Sequence, residues 1–238
     1  MASVPARRFE TMADLLEDLG NVSPRRVRLD PPPGKATERD VVRIHDRTGR
    51  LYELVDGTLV EKVMGFSESA LTCEFIRLLG NFVVERGLGF LTGPDGAVRL
   101  MPRLVRIPDI AFISWDQLPA REIPAEPIPD LAPALAVEVL SEGNTPAEME
   151  RKLKEYFLSG VRVVWFVDPD RRTVTVYTAP DRSVTLNEGD TLDGGDVLPG
   201  LSLPVRQVFA GRRPRERAAG RPARGRGKKG KRRPGAGG

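Results

Sequence analysis

The stretch AVEVLSEGNTPAEMERKLKEYFLSGV, residues 136–161, decides how this chain is read. A short apolar run interrupted by Glu138 passes through the turn-forming Ser141-Glu142-Gly143-Asn144 and enters about four turns of amphipathic helix. The pattern predicts a strand, a turn and a helix. An ionised carboxylate among Leu135, Ala136, Val137, Val139 and Leu140 is costly to bury unless something compensates it. A solvated edge or a salt bridge would serve, and so would a metal ion with a lysine beside it.

Working outward, the helix places Lys152 at the border of its apolar stripe. With about 100° per residue, Met149, Leu153 and Tyr156 share one face, and Lys152 lies about 60° from Met149. Its stem can follow that face while its ammonium reaches the strand before it. An exposed i,i+4 pair with Glu148 is the bland alternative. In either case Lys152→Met keeps the stem, and the sequence predicts little change in folding. On the other side of the turn, Leu104–Ile107 leads through Pro108-Asp109 into Ile110–Ser114. A proline there belongs at an edge, an end or a bulge, which puts Asp109 at a distorted point just before an apolar strand. If that strand neighbours the one bearing Glu138, the two carboxylates come together. Hard oxygens of this kind suit Mg²⁺, which ordinarily takes one or two protein carboxylates plus phosphate oxygens and water.

Upstream, Leu51–Val55 and Thr58–Val63 flank Asp56-Gly57, the favoured pair for a type I′ hairpin. That register pairs Glu53 with Val60 and turns Glu61 to the opposite face. Either acid is a further carboxylate candidate, with Glu53 preferred. Between residues 67 and 86 the spacing of Leu71, Phe75, Leu78, Leu79, Phe82 and Val83 predicts a core helix, with Glu74 either projecting toward a site or, the favoured reading, on a solvated face. Short strands are expected at 89–92 and 97–101. Residues 115–133, with five prolines, form a long surface loop of a length that is often functional. Downstream, residues 161–167 predict a buried strand, followed by shorter strands near 173–178, 183–186 and 201–205. The sum is an α/β or α+β arrangement with a mixed β-sheet and flanking helices.

The ends of the chain differ in character from this middle. Residues 10–19 predict a short amphipathic helix, Pro31-Pro32-Pro33-Gly34 stops regular structure, and a helix starting near Thr37 is expected to end at His45. These first 45 residues read as an adaptor without chemistry, packed on a main domain of residues 46–210. From residue 211 onward, twelve Lys or Arg against Glu216 give +11 of the chain's net +4, which leaves −7 for residues 1–210. The tail carries no large apolar side chain and is expected to be disordered. It reads as a solubilising extension or as an arm that neutralises phosphates.

Composition narrows the chemistry. At 238 residues and 40% apolar, the chain can bury its own core. One cysteine excludes an internal disulfide, and His45, the single histidine, reads as a surface residue. That argues against a histidine-rich zinc site or a serine–histidine triad. Catalysis would rest on carboxylates, lysines and hydroxyls. The N-terminus lacks the apolar core of a signal peptide, and no stretch reaches the roughly 18 apolar residues of a membrane span. The cytosol is the expected compartment and no membrane partner is expected.

Taken together, YELVDGTLVE, RIPDIAFIS, AVEVLSEGNT, the four-residue spacing of Glu148, Lys152, Tyr156 and Gly160, and VVWFVDP resemble the Uma2 family of restriction endonuclease-like proteins. The resemblance covers about residues 50–209. That family is similar to the PD-(D/E)XK nucleases, except that the lysine expected two residues after the acid, where Leu140 stands, has moved to the next helix as Lys152. The resemblance implies Mg²⁺ or another divalent cation on Asp109 and Glu138, with the Val139 carbonyl as a further oxygen. It also implies a catalytic Lys152 that positions or activates water, and a DNA endonuclease activity. Nucleic acid is the implied partner, with a homodimer left open. Two departures stand out. Ser67, Glu68 and Ser69 occupy a region where the family often carries a histidine, and Glu148 stands where aspartate is more usual. A catalytically silent nucleic-acid-binding or scaffold protein on the same fold is the rival reading. A small-molecule binding domain ranks last, for want of a phosphate-cradling glycine loop.

Overall fold

The computed structural model describes residues 9–211; the basic tail read from the sequence lies outside them, apart from Gly211. The chain begins with α1 (Met12–Asp18), capped by a Thr11/Asp14 capping box, and a short strand, β1 (Val27–Arg28). Helix α2 (Glu38–Thr48) follows, with Thr37 and Asp40 as its capping box and Gly49, at φ +68°, as its C-cap. It runs one turn beyond His45 because nothing in that turn breaks it before Gly49. Strands β2 (Tyr52–Val55) and β3 (Thr58–Glu61) form the expected hairpin, with Glu53 opposite Val60. Asp56 and Gly57 take positive φ values of 50° and 81°, as a type I′ turn requires.

The long helix α3 (Phe66–Glu85) leads into β4 (Gly89–Thr92), β5 (Val98–Met101), β6 (Leu104–Arg106) and β7 (Ile110–Ser114). The organising stretch gives β8 (Leu135–Val139) and α4 (Pro146–Leu158), then β9 (Val163–Asp168). Strands β10 (Thr173–Ala179), β11 (Arg182–Leu186), β12 (Thr191–Asp193) and β13 (Ser202–Pro204) complete the sheets, and α5 (Val205–Val208) closes the described chain.

These strands form two principal sheets where the sequence suggested one. An antiparallel sheet runs β1-β3-β2-β6-β5, and a mixed sheet runs β11-β10-β9-β8-β7-β4, its one parallel pair being β8 with β9. Alternation along the strands assigns the layers. Leu135, Val137 and Val139 pack with Leu71, Phe75 and Leu79 of α3, and Phe75 stacks on Trp165 at 5.8 Å. On the opposite face, Ala136, Val164 and Phe166 meet Met149, Leu153 and Tyr156 of α4. Val55, Val60 and Leu104 of the antiparallel sheet join the same cluster. The far face of that sheet, with Tyr52, Leu54 and Leu59, is covered by Val41 and Ile44 of α2. Helix α4 thus sits between the two sheets, and polar residues on either inner face point toward it.

The first 45 residues are less separate than the sequence suggested. β1 is an edge strand of the antiparallel sheet, paired with β3, and α2 runs across the boundary at residue 46. Leu15, Leu19 and Val22 pack into the cluster around α4. Gly20, at φ +81°, lies so close to the start of α4 that a Cβ would collide with the Glu148 backbone.

Candidate active site

The pairing of β7 with β8 sets Ile110 opposite Val137 and Ala111 opposite Ala136, so one further step brings Asp109 opposite Glu138. Pro108 ends the preceding run, and the Asp109 N–H donates to the Val137 carbonyl at 3.0 Å. Glu138 has the parity of Ala136, which faces α4, and so it meets the stripe on that helix. Lys152 Nζ lies 3.0 Å from Glu138 Oε1, and Tyr156 donates its hydroxyl to the same oxygen at 2.6 Å. Asp109 Oδ2 accepts the Val139 N–H at 2.6 Å, while Oδ1 is 2.8 Å from Lys62 Nζ. Asp109, Glu138 and Lys152, drawn from three separate elements, all border one cleft of about 240 Å³.

All three are buried, at 4 to 5% exposure, so their charges depend on one another. Burial raises the Glu138 carboxyl above its ordinary pKa; Lys152 and Lys62 oppose the shift, and Asp109 and Glu53 add to it. For Lys152, burial would lower the pKa, but Glu138 and Glu53 outweigh it and hold the ammonium charged. The Tyr156 hydroxyl is pushed up by burial and by the same two carboxylates, and it stays protonated as a donor. The exposed Glu148–Lys152 pair offered by the helix pattern does not form: both residues are buried and each has other partners. Against the expectation that Lys152→Met would hardly affect folding stands the burial of its charge, which is enclosed and not at a wet rim.

Glu53 is the hairpin acid that joins the cluster. Its Oε1 is 3.1 Å from Lys152 Nζ and accepts the Ile107 N–H at 3.2 Å, while Oε2 accepts from Arg106 at 2.7 Å. Burial would raise its pKa, but Lys152, Arg106 and Lys62 together hold it far below the usual carboxylate range. Arg106 continues to Glu155, and Glu155 to Arg151, which also reaches Asp18 and Asp56. Glu61 faces away and lies 3.6 Å from Arg50, and Glu74 pairs with Arg77 on the outer face of α3.

Sequence reasoning missed several groups here. Arg26, from the segment read as lacking chemistry, borders the cleft and grips Glu148 through two bonds of 3.0 and 2.8 Å, its Nε donating to the Glu61 carbonyl at 2.8 Å. No periodicity marks it. Glu68, in the first turn of α3, is buried and lines the same cleft. Lys62 could have been found by parity, since it lies two residues beyond Val60, the partner of Glu53, and therefore on the same face.

The donor set fits a divalent cation in kind. Two hard carboxylates bordering one cleft are what Mg²⁺ ordinarily takes from protein, and both bonds to Glu138 end on Oε1, leaving Oε2 for a ligand. Among the described residues, no group of three or more His, Cys, Asp or Glu side chains is arranged to hold a metal. Val139 borders the cleft and binds Asp109 through its N–H.

Residues 38–206 match the family model described as "Uma2: Putative restriction endonuclease". A solved structure titled as that of "a putative nuclease belonging to DUF820" from Anabaena variabilis ATCC 29413 is 22% identical. The match covers 68% of this chain and 91% of that one with a TM-score of 0.60, which is a likeness of fold. No curated protein matches the chain. Among the described residues, no helix is long and apolar enough to cross a membrane.

Proposed function

The chain belongs to the Uma2 family, and from that premise we propose that the cleft between the two sheets hydrolyses phosphodiester bonds of DNA with the help of a divalent cation. The observation that carries this reading is the meeting of Asp109, Glu138 and Lys152 at one cleft, each buried and each from a different element.

Asp109 and Glu138 would hold the cation, Mg²⁺ by donor chemistry; when bound, it supplies Lewis-acid charge at the scissile phosphate and lowers the pKa of a water. The protein does the rest by preorganisation. The Val139 N–H, bonded to Oδ2, and the β7–β8 pairing fix the direction of the Asp109 carboxylate. Tyr156 and Lys152 hold Glu138 from one side through Oε1. Lys152, kept charged by two carboxylates, provides a positive group where negative charge builds up on the phosphate oxygens; a fixed donor of this kind is typically worth about 3 to 4 kcal/mol in the transition state. Arg26 and Glu148 steady the start of α4, and with it the direction from which Lys152 enters.

Supercoiled plasmid is the direct test. Wild type with Mg²⁺ should nick or linearise it, and EDTA or Asp109→Ala should abolish the cleavage. A rival reading, that of a silent nucleic-acid binder, draws on the mutual neutralisation of these charges. It predicts plasmid binding without cleavage by wild type and variant alike, and that result would overturn the nuclease reading.

A further inference from the structure

Lys62 plays no part in the mechanism above, yet it touches the residue on which that mechanism most depends. It directly follows β3, where its N–H still pairs with the Leu51 carbonyl at 2.9 Å. From there the irregular residues 62–65 lead to α3. Its side chain is only 8% exposed, borders the cleft, and ends 2.8 Å from Asp109 Oδ1 with a further bond to the Ile107 carbonyl. Both Asp109 oxygens are therefore engaged, Oδ2 by the Val139 N–H inside the sheet and Oδ1 by this ammonium.

The two engagements differ in kind. The Val139 bond belongs to the backbone of a central strand and persists as long as β8 does. The Lys62 bond is made by a flexible side chain at the end of a strand, beside an irregular link. An ammonium and a divalent cation on one carboxylate repel each other, so the lysine is the partner that yields. We propose that Lys62 is an internal counter-ion that occupies the metal face of Asp109 and is displaced from it when a divalent cation binds. The inference rests on the metal-dependent reading of the cleft and adds a residue to it. In the absence of metal, Lys62 supplies the positive charge beside a buried carboxylate that otherwise has only the Val139 N–H; once displaced, its ammonium remains at the cleft wall.

The test uses the full chain, Ca²⁺ as a divalent probe, and acylation by an N-hydroxysuccinimide ester followed by peptide mass spectrometry. Saturating Ca²⁺ should speed Lys62 acylation at least about tenfold while Lys152 stays protected. Asp109→Asn without Ca²⁺ should speed it similarly. By isothermal titration calorimetry, Lys62→Met should bind Ca²⁺ at least about tenfold more tightly, the equilibrium counterpart of losing the low end of a charged hydrogen bond. Asp109-dependent Ca²⁺ binding with unchanged Lys62 acylation would overturn this inference and leave the metal reading intact. Weaker Ca²⁺ binding by a folded Lys62→Met would do the same. Absence of any Asp109-dependent Ca²⁺ binding would overturn both.

Discussion

Replacing Lys152 with methionine should destabilise the fold at neutral pH by about 3 to 5 kcal/mol, the usual cost of removing one partner from a buried ion pair. Methionine keeps most of the stem, so packing against Met149, Leu153 and Tyr156 changes little and the loss is electrostatic. The ammonium lies 3.0 Å from Glu138 and 3.1 Å from Glu53, and it is buried with them. The two carboxylates are not stranded equally. Glu53 keeps Arg106 and the Ile107 N–H, whereas Glu138 keeps the Tyr156 hydroxyl and the more distant charge of Lys62. Glu138, already raised by burial, loses the neighbour that most opposes the rise and takes up a proton at higher pH than before.

The pH dependence follows from the signs. Glu53 is lowered in the fold, so its contribution is present above its ordinary pKa of 4.5 and lost as pH falls through the folded value. Glu138 is raised, so its contribution is present below 4.5 and lost as pH rises through its folded value. Lys152→Met weakens the first effect and strengthens the second, and the variant's deficit should therefore be smallest in acid and grow toward neutrality. Thermal melts at pH 5 and 7 would show it, with a fall of about 6 to 20 °C at pH 7 for a domain of this size. Glu138→Gln in the Lys152→Met background should recover part of the loss, because an amide needs no counter-ion. A melt within about 2 °C of wild type at pH 7 would mean that Lys152 is solvated, as an exposed pair worth under about 1 kcal/mol would be, and the lysine could not then be enclosed with Glu138 and Glu53.

Three further outcomes are expected. Tyr156→Phe removes the 2.6 Å bond to Glu138 and should cost about 1.5 to 3 kcal/mol, the range for hydrogen bonds to charged groups, seen as a lower urea midpoint with an unchanged m value. Deletion of residues 1–37 removes Arg26 from the buried Glu148 and bares the β3 edge. It should cost about 3 kcal/mol or more, and a truncated chain that melts like the full one would show the segment to be dispensable. Deletion of residues 211–238 should weaken DNA binding and flatten its dependence on salt by about 0.9 log units for each phosphate that the tail neutralises, with cleavage at low salt preserved.

Much of the fold was legible because its signals are local. Asp56-Gly57 set the hairpin register, and the passage from a short apolar run through Ser141–Asn144 into a 3.6-residue period marked β8 and α4. Glu138 and Asp109 stood out because each breaks the apolar pattern around it. The division into two sheets was not legible, since alternation looks alike in either sheet. β6 joins β2, far back in the sequence, while β7 pairs with β8, and only tertiary packing around α4 decides that. Arg26 was hidden for a similar reason: its partner Glu148 lies 122 residues on, and one arginine among Arg25, Arg26 and Arg28 carries no periodicity that singles it out. The depth of burial of Lys152 was not legible, because a helical wheel fixes direction but says nothing of the second sheet lying over that face.

The arrangement of charges also bears on why such a costly cluster is kept. Well-packed apolar residues of similar volume are often neutral or stabilising in place of a buried ion pair, so stability alone is weak reason to retain one. The Arg106–Glu155 pair with Arg151 can be read as structural, a polar seam joining α4 to the antiparallel sheet. Arg151, Glu155, Asp18 and Asp56 border a wider cleft of their own, where Arg151 and Asp56 are partly exposed; Asp109, Glu138, Lys152 and Lys62 differ in that all four border their cleft with side chains at most 8% exposed. A network kept for stability alone gains little from enclosed charges, since apolar residues in their place would avoid the desolvation cost. The feature that sets this cluster apart is therefore enclosed charge at a cleft: carboxylates held by backbone and tyrosine, each with a lysine beside it at the cleft wall.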